Sequence, residues 1–180
     1  PSTAKHDCLL AASRDRHVCL FAPRSADAPR GAFDENGWRL VSRFKAHDRE
    51  IYAAAWAPCG TIFATAGRDK KVKTWRIAGE DEECQLVCEL PKFSAAPTSI
   101  AFCSKASDGT LRLAVGFDDG AIEVHTSPLD ASAWSLSARV ADEDRHGSVV
   151  RVVSWRPNSD GDVLASCADD NAVHVYELSC

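Results

Sequence analysis

Arg68-Asp69-Lys70-Lys71-Val72-Lys73-Thr74-Trp75 is the stretch whose reading decides the fold. Its Asp stands six residues before an aromatic ring, with a β-branched residue three after the Asp. The same offsets recur in Arg14-Asp15-Arg16-His17-Val18-Cys19-Leu20-Phe21, in Asp118-Asp119-Gly120-Ala121-Ile122-Glu123-Val124-His125 and in Asp169-Asp170-Asn171-Ala172-Val173-His174-Val175-Tyr176. The four Asp residues (15, 69, 119 and 170) are 54, 50 and 51 residues apart. Four matches at three concordant spacings mark an internal repeat.

Each shared segment reads as a turn followed by a strand. Asp beside Gly, Asn or Lys suits a tight hairpin turn, and the alternating apolar run behind it suits a half-buried strand. A second apolar run precedes each turn: 8–12, 62–66, 111–115 and 163–167. Further upstream, three repeats hold a run with an aromatic, 51–56, 99–102 and 149–155. Two of these end in Trp-x-Pro (Trp56-Ala57-Pro58, Trp155-Arg156-Pro157), where proline stops a ladder. Another run follows the repeat end at 38–44, 85–90 and 134–140, and no segment keeps a helical period. Four short antiparallel strands per repeat make one blade of a β-propeller, so the expected class is all-β.

His47, Trp56-Ala57-Pro58, Phe63-Ala64-Thr65-Ala66-Gly67-Arg68-Asp69 and Trp75 together resemble one complete repeat of the WD40 family. The resemblance implies a buried hydrogen-bonded tetrad of His47, Thr65, Asp69 and Trp75. The last repeat offers His146, Ser166, Asp170 and Tyr176, with a phenol in place of the indole. A buried Asp and His must satisfy one another and the turn amides, because leaving either bare costs several kcal/mol. These residues are therefore read as structural. No Trp-Asp dipeptide occurs, and the third repeat has neither the His nor a hydroxyl at the expected offsets, so its tetrad is expected to be missing. Spacings above ~40–45 residues imply loop insertions. The candidates are Pro23 to Gly37 and the acidic Gly79-Glu80-Asp81-Glu82-Glu83.

The strand count is three, four, four and three. The first blade lacks its innermost strand and the last its outer one. The expected divisions are 1–45, 46–91, a degenerate blade at 92–140, and 141–180. Such an arc should not close alone, so the chain is expected to be the C-terminal part of a larger propeller and to aggregate through bare sheet edges if isolated. The absence of Met and the opening at Pro1 fit that expectation.

Composition excludes other classes. At 45 % hydrophobic and 26 % charged residues, the 180-residue chain is neither disordered nor collagen-like. No run approaches the ~20 apolar residues of a membrane helix, and no secretory leader pattern opens it. Eight irregularly spaced cysteines suit reduced thiols in a cytoplasmic or also nuclear protein better than a disulfide scaffold. The net charge of −5 is uneven: residues 1–76 hold 14 Lys and Arg against 8 Asp and Glu, and residues 77–180 hold 7 against 18.

Signals for catalysis are thin. There is no phosphate-binding Gly-rich loop, zinc-protease helix or nucleophile elbow. Cys84 and Cys88 lie four apart on a strand, hence ~13 Å from each other, too far to share one zinc. His6, His17, His125 and His174 are scattered, and Asp108-Gly109 and Ser159-Asp160-Gly161-Asp162 read as turns, not calcium loops. The expected innermost strands carry Arg151 as their lone charge, which argues against catalytic groups lining a channel. No cofactor or metal is expected. The hairpin turns carry the stronger signal. Arg14, Arg16, Arg68, Lys70 and Lys71 form a candidate rim facing a protein partner or RNA, followed by Asp118, Asp119, Asp169 and Asp170 on the next two blades.

A narrower resemblance rests on His47-Asp48-Arg49-Glu50-Ile51-Tyr52, Phe63-Ala64-Thr65, Arg68-Asp69-Lys70-Lys71-Val72-Lys73 and Ser13-Arg14-Asp15-Arg16. These are similar to the C-terminal propeller of the Elongator complex protein 2 family, although Tyr52 replaces a Trp and Ala66-Gly67 replaces Gly-Ser. That implies a non-catalytic scaffold in a complex that modifies wobble uridines in tRNA, also linked to protein acetylation. Its partners would be the Elongator catalytic and large scaffold subunits, with tRNA contact indirect and no membrane. Another WD40 adaptor, such as a cytosolic iron–sulfur targeting factor, is the second reading. The Trp-Asp-x-Arg motif of many ubiquitin-ligase receptors is absent, and a propeller enzyme ranks last.

Overall fold

A computed structural model describes residues 8–23, 37–78, 83–104, 109–157 and 163–178. The described residues form fourteen strands in four antiparallel sheets, with no helix among them. The first sheet holds β1 (Leu9–Ala12), β2 (His17–Pro23) and β3 (Trp38–Lys45). The second holds β4 (Ile51–Trp56), β5 (Ile62–Gly67), β6 (Lys71–Ala78) and β7 (Glu83–Glu89). The third holds β8 (Pro97–Phe102), β9 (Thr110–Phe117), β10 (Ile122–Pro128) and β11 (Ser135–Arg139). The fourth holds β12 (Val150–Trp155), β13 (Val163–Ala168) and β14 (Val173–Glu177). Three, four, four and three strands, each sheet meandering in chain order, are the propeller blades that the repeat predicts. The expected insertion at Pro23 to Gly37 falls largely outside the described residues, as do His6, 79–82 of the acidic segment, Asp108 and Ser159-Asp160-Gly161-Asp162.

The repeated turn has one backbone solution. In all four blades the residue after the shared Asp has positive φ: Arg16 (76°), Lys70 (65°), Gly120 (88°) and Asn171 (63°). Its amide donates to the carbonyl three residues back, as in Arg16 to Ser13 (3.1 Å), Lys70 to Gly67 (3.1 Å), Gly120 to Phe117 (3.3 Å) and Asn171 to Ala168 (3.3 Å). This is a three-residue hairpin loop closing on a left-handed residue. The shared Asp caps it. Asp15 accepts the His17 amide (2.9 Å), Asp119 the Ala121 amide (3.1 Å) and Asp170 the Ala172 amide (3.0 Å).

Bulges repeat too. The first and second strands of blades two to four slip register at 51/53, 97/99 and 150/152, and the third and fourth strands of blades one to three at 20/21, 74/75 and 124/125. One extra residue at a fixed place sharpens twist in every blade alike.

The core lies between sheets. Val18, Leu20 and Ile51 pack with Phe63, Trp75 and Ile77 at the first seam. Ala64, Ala66 and Val72 meet Leu111, Leu113 and Phe117 at the second. Ala114, Ile122 and Val124 meet Val150, Val153 and Trp155 at the third. A strand such as β5, buried at every residue, serves two seams at once. The third seam is also hydrogen-bonded. Thr98 Oγ1 donates to the Val150 carbonyl (2.6 Å), Ser99 Oγ accepts the Val153 amide (3.1 Å), and Trp155 Nε1 donates to the Ala101 carbonyl (2.9 Å). No helix among the described residues is long and apolar enough to cross a membrane.

Candidate functional site

In the second blade, His47 lies in the loop before β4, Thr65 on β5, Asp69 in the β5–β6 turn and Trp75 on β6. Trp75 Nε1 donates to Thr65 Oγ1 (2.9 Å), and Thr65 Oγ1 is 2.8 Å from His47 Nε2. His47 Nδ1 is 2.9 Å from Asp69 Oδ1, and Asp69 Oδ2 also accepts the Asp48 amide (3.1 Å). Proton bookkeeping fixes the tautomer: the Thr65 oxygen accepts from the indole, so its own hydrogen points at Nε2, and Nδ1–H is left to donate to the carboxylate. Burial pushes His47 below its ordinary value of 6.5, against the pull of Asp69, which fits a neutral ring. Gly67 makes the room, since a Cβ there would lie 2.5 Å from His47 Nδ1.

The fourth blade repeats this with smaller parts. His146 Nδ1 is 2.9 Å from Asp170 Oδ2 and Nε2 is 2.7 Å from Ser166 Oγ, while Asp170 accepts the Gly147 amide (3.0 Å). The Tyr176 hydroxyl donates to the Asp144 carbonyl (3.2 Å), an outlet that the Trp75 indole lacks, and burial raises its phenol above the ordinary range. His174 stacks on His146 at 4.3 Å. Ser, His and Asp stand here at the distances of a nucleophilic triad. Ser166 is only 3 % exposed and its counterpart Thr65 fully buried, so neither hydroxyl is presented to solvent as a nucleophile.

The third blade lacks the chain, and its geometry shows what stands instead. The Asp118 amide donates to the Ala96 carbonyl (3.0 Å), as Arg68 donates to Glu50 (2.8 Å) and Asp169 to Val149 (3.1 Å). Counting three residues back from each acceptor places Phe93 where His47 and His146 stand. Phe93 packs on Phe117 (5.0 Å) and edge-on against His125 (5.5 Å), and Val115 occupies the hydroxyl position. Sequence reasoning gives no sign of Phe93, because an aromatic in a loop has no polar signature. His125 Nε2 meets Glu123 Oε2 (3.0 Å), and its Nδ1 is buried with no hydrogen-bond partner among the described residues.

The candidate rim is divided by its own contacts. Arg68 pairs with Glu50 (3.3 Å), Lys71 with Glu89 (2.7 Å), and Lys70 Nζ donates to the Ser94 carbonyl (2.5 Å). The Arg16 Nε makes only a long bond to the Asp15 carbonyl (3.4 Å), and Arg14 has neither ion pair nor hydrogen bond among the described residues. Among the acidic residues, Asp169 holds Arg151 (2.7 Å) and Asp118 accepts the Ala96 amide (2.9 Å). Cys84 and Cys88 both lie on β7, and no cluster of three or more His, Cys, Asp or Glu among the described residues could hold a metal.

The family model for WD domain, G-beta repeat matches residues 38–76 and 140–177, the segments that hold the two hydrogen-bonded chains. The chain carries WD40 repeats. Curated relatives extend the likeness to nearly its whole length. The chain is 32 % identical over 183 residues to Elongator complex protein 2 of Arabidopsis thaliana, covering 94 % of this chain and 21 % of the relative. It is also 32 % identical over 176 residues to Elongator complex protein 2 of Schizosaccharomyces pombe, covering 95 % and 22 %. Nucleoporin SEH1 of Saccharomyces cerevisiae is 32 % identical over 137 residues, covering 71 % and 36 %. The chain thus spans about a fifth of the length of these Elongator relatives.

Proposed function

We propose that this chain belongs to a non-catalytic scaffold subunit of the Elongator type, in a complex that modifies wobble uridines in tRNA. The observation that carries this reading is the likeness to Elongator complex protein 2 over 94 % of the chain. The site geometry supports it from another side: His47, Thr65 and Asp69, like His146, Ser166 and Asp170, bond to one another as struts that tie the His loop to its turn. A propeller of this kind offers rigid, differently charged rims on which other subunits dock. The rim of Arg14, Arg16, Arg68, Lys70 and Lys71 faces a subunit of the complex, and any tRNA contact is indirect. The protein acts in the cytoplasm and also in the nucleus, the compartments that suit its thiols.

A second reading is another WD40 adaptor, and the likeness to nucleoporin SEH1 favours that over an enzyme. Affinity purification of the tagged full-length protein, with mass spectrometry of what accompanies it, separates the two. The Elongator catalytic subunit is expected in stoichiometric amount. A clean preparation that lacks it and carries nucleoporins instead overturns the proposal.

A further inference from the structure

We infer that the cavity lined by Arg14 and Tyr52 at the hairpin-turn rim receives a glutamate side chain from an acidic segment of a partner protein. The cavity measures about 410 Å³ and draws on all four blades: Arg14 from the β1–β2 turn, Ile51 and Tyr52 from β4, Asp118 from the β9–β10 turn, Val149 just before β12 and Arg151 on it. Its polar groups are unevenly engaged. Arg151 is held by Asp169 at 2.7 Å, and Asp118 Oδ1 holds the Ala96 amide at 2.9 Å. Arg14 has no hydrogen bond or ion pair among the described residues, and neither has the hydroxyl of Tyr52, which is 40 % exposed although it lies on an innermost strand.

The Arg14 guanidinium can only donate and the Tyr52 hydroxyl can donate beside it, so the complementary ligand is an acceptor with negative charge. The Arg14 fork matches a carboxylate, the Tyr52 hydroxyl adds a second donor, and Ile51 and Val149 offer apolar wall to the methylenes of a glutamate. A nucleic-acid backbone fits this place poorly. It needs a track of free cations, whereas Arg68, Lys70 and Lys71 are engaged internally and Arg14 stands alone in the lining as an unengaged cation. The inference rests on reading the chain as a protein scaffold and is independent of which complex it serves.

The test uses the full-length protein and fluorescence anisotropy with three probes: a fluorescein-labelled decapeptide of alternating Glu and Ser, its Lys–Ser counterpart, and an oligouridylate of similar charge. The Glu–Ser peptide is expected to bind, more tightly at low salt. Arg14→Glu should weaken it about tenfold or more and Tyr52→Phe about threefold, while Arg156→Glu, beyond the far end of β12 and outside both the cavity lining and the rim, stays within about twofold. Arg14→Lys, which keeps the charge and loses the fork, should fall between. No Glu–Ser binding to the folded protein, equal binding of the Lys–Ser peptide, indifference to Arg14→Glu, or binding of the oligouridylate alone would each overturn the inference. Peptide binding that survives in a protein without Elongator subunits at its side would leave the cavity standing and remove only the proposed assembly.

Discussion

The second and third blades solve one problem in opposite ways. Both must hold a loop against a turn that carries an Asp, at the same rim of the same fold. Blade two does so with a polar chain from Trp75 through Thr65 and His47 to Asp69, and keeps Gly67 bare so that the imidazole fits. Blade three fills the equivalent space with Phe93 and Phe117, and among the described residues its Asp119 retains only the local amide of Ala121. The contrast teaches that the fold requires the space to be filled and the turn capped, and does not require any one chemistry. The polar solution is directional and brittle; the apolar one tolerates approximate fit.

The widest separation between the blades should come from the shared Asp. Asp69→Ala strands the His47 Nδ1–H and the Asp48 amide and should cost about 3 kcal/mol, whereas Asp119→Ala should cost about 0.5–1 kcal/mol. Hydrogen-exchange protection of β5 and β9 amides in the full-length protein reads both, and equal losses would erase the distinction. Gly67→Ala should follow at about 1–3 kcal/mol, since its Cβ would press into the imidazole; a β5 protection pattern unchanged from wild type would show that the His47 loop yields easily.

Acid should also act unequally. Burial lowers His47 below its ordinary value of 6.5, so the folded state takes up the proton less readily than the unfolded state. Stability is unaffected above that value and falls as pH drops through it, because only the unfolded state then gains protons freely. Phe93 cannot titrate. Exchange at pH 7.5 and 5.5, corrected for intrinsic rates, should show β5 and β6 losing more protection than β9, and a uniform loss would sink the claim. The smallest effect belongs to the turns. Arg16→Gly relieves a left-handed residue and should stabilise the first hairpin by up to about 1 kcal/mol, read as a rise in β2 protection; a fall would mean that the arginine holds the turn by contacts of its own.

Much of this is legible in the sequence, for identifiable reasons. The Asp, β-branched and aromatic offsets are set by turn length and strand pleat, so four copies expose the blade register. His47, Thr65 and Asp69 are recognisable through the resemblance to a WD40 repeat, which implies a loop His, a strand hydroxyl and the turn Asp in one hydrogen-bonded chain. Three things are not legible. Phe93 stands among ordinary loop residues and shows itself only when backbone bonds align it with His47. Positive φ at Arg16 and Lys70 carries no compositional mark, since glycine and asparagine, the residues that signal it, stand only in the third and fourth turns, at Gly120 and Asn171. The engagement of Arg68 and Lys70 depends on Glu50 and Ser94, 18 and 24 residues away on other elements, so a formal charge in the sequence overstates the charge free to meet a partner.

The bonds between β8 and β12 have a mechanical meaning. Thr98, Ser99 and Trp155 tie blade three to blade four across 52 to 54 residues of chain, while among the described residues the cross-blade side-chain bonds at the second seam come from two cations, the exposed Lys70 and the half-buried Arg76. A force that spreads the blades would therefore part the second seam before the third.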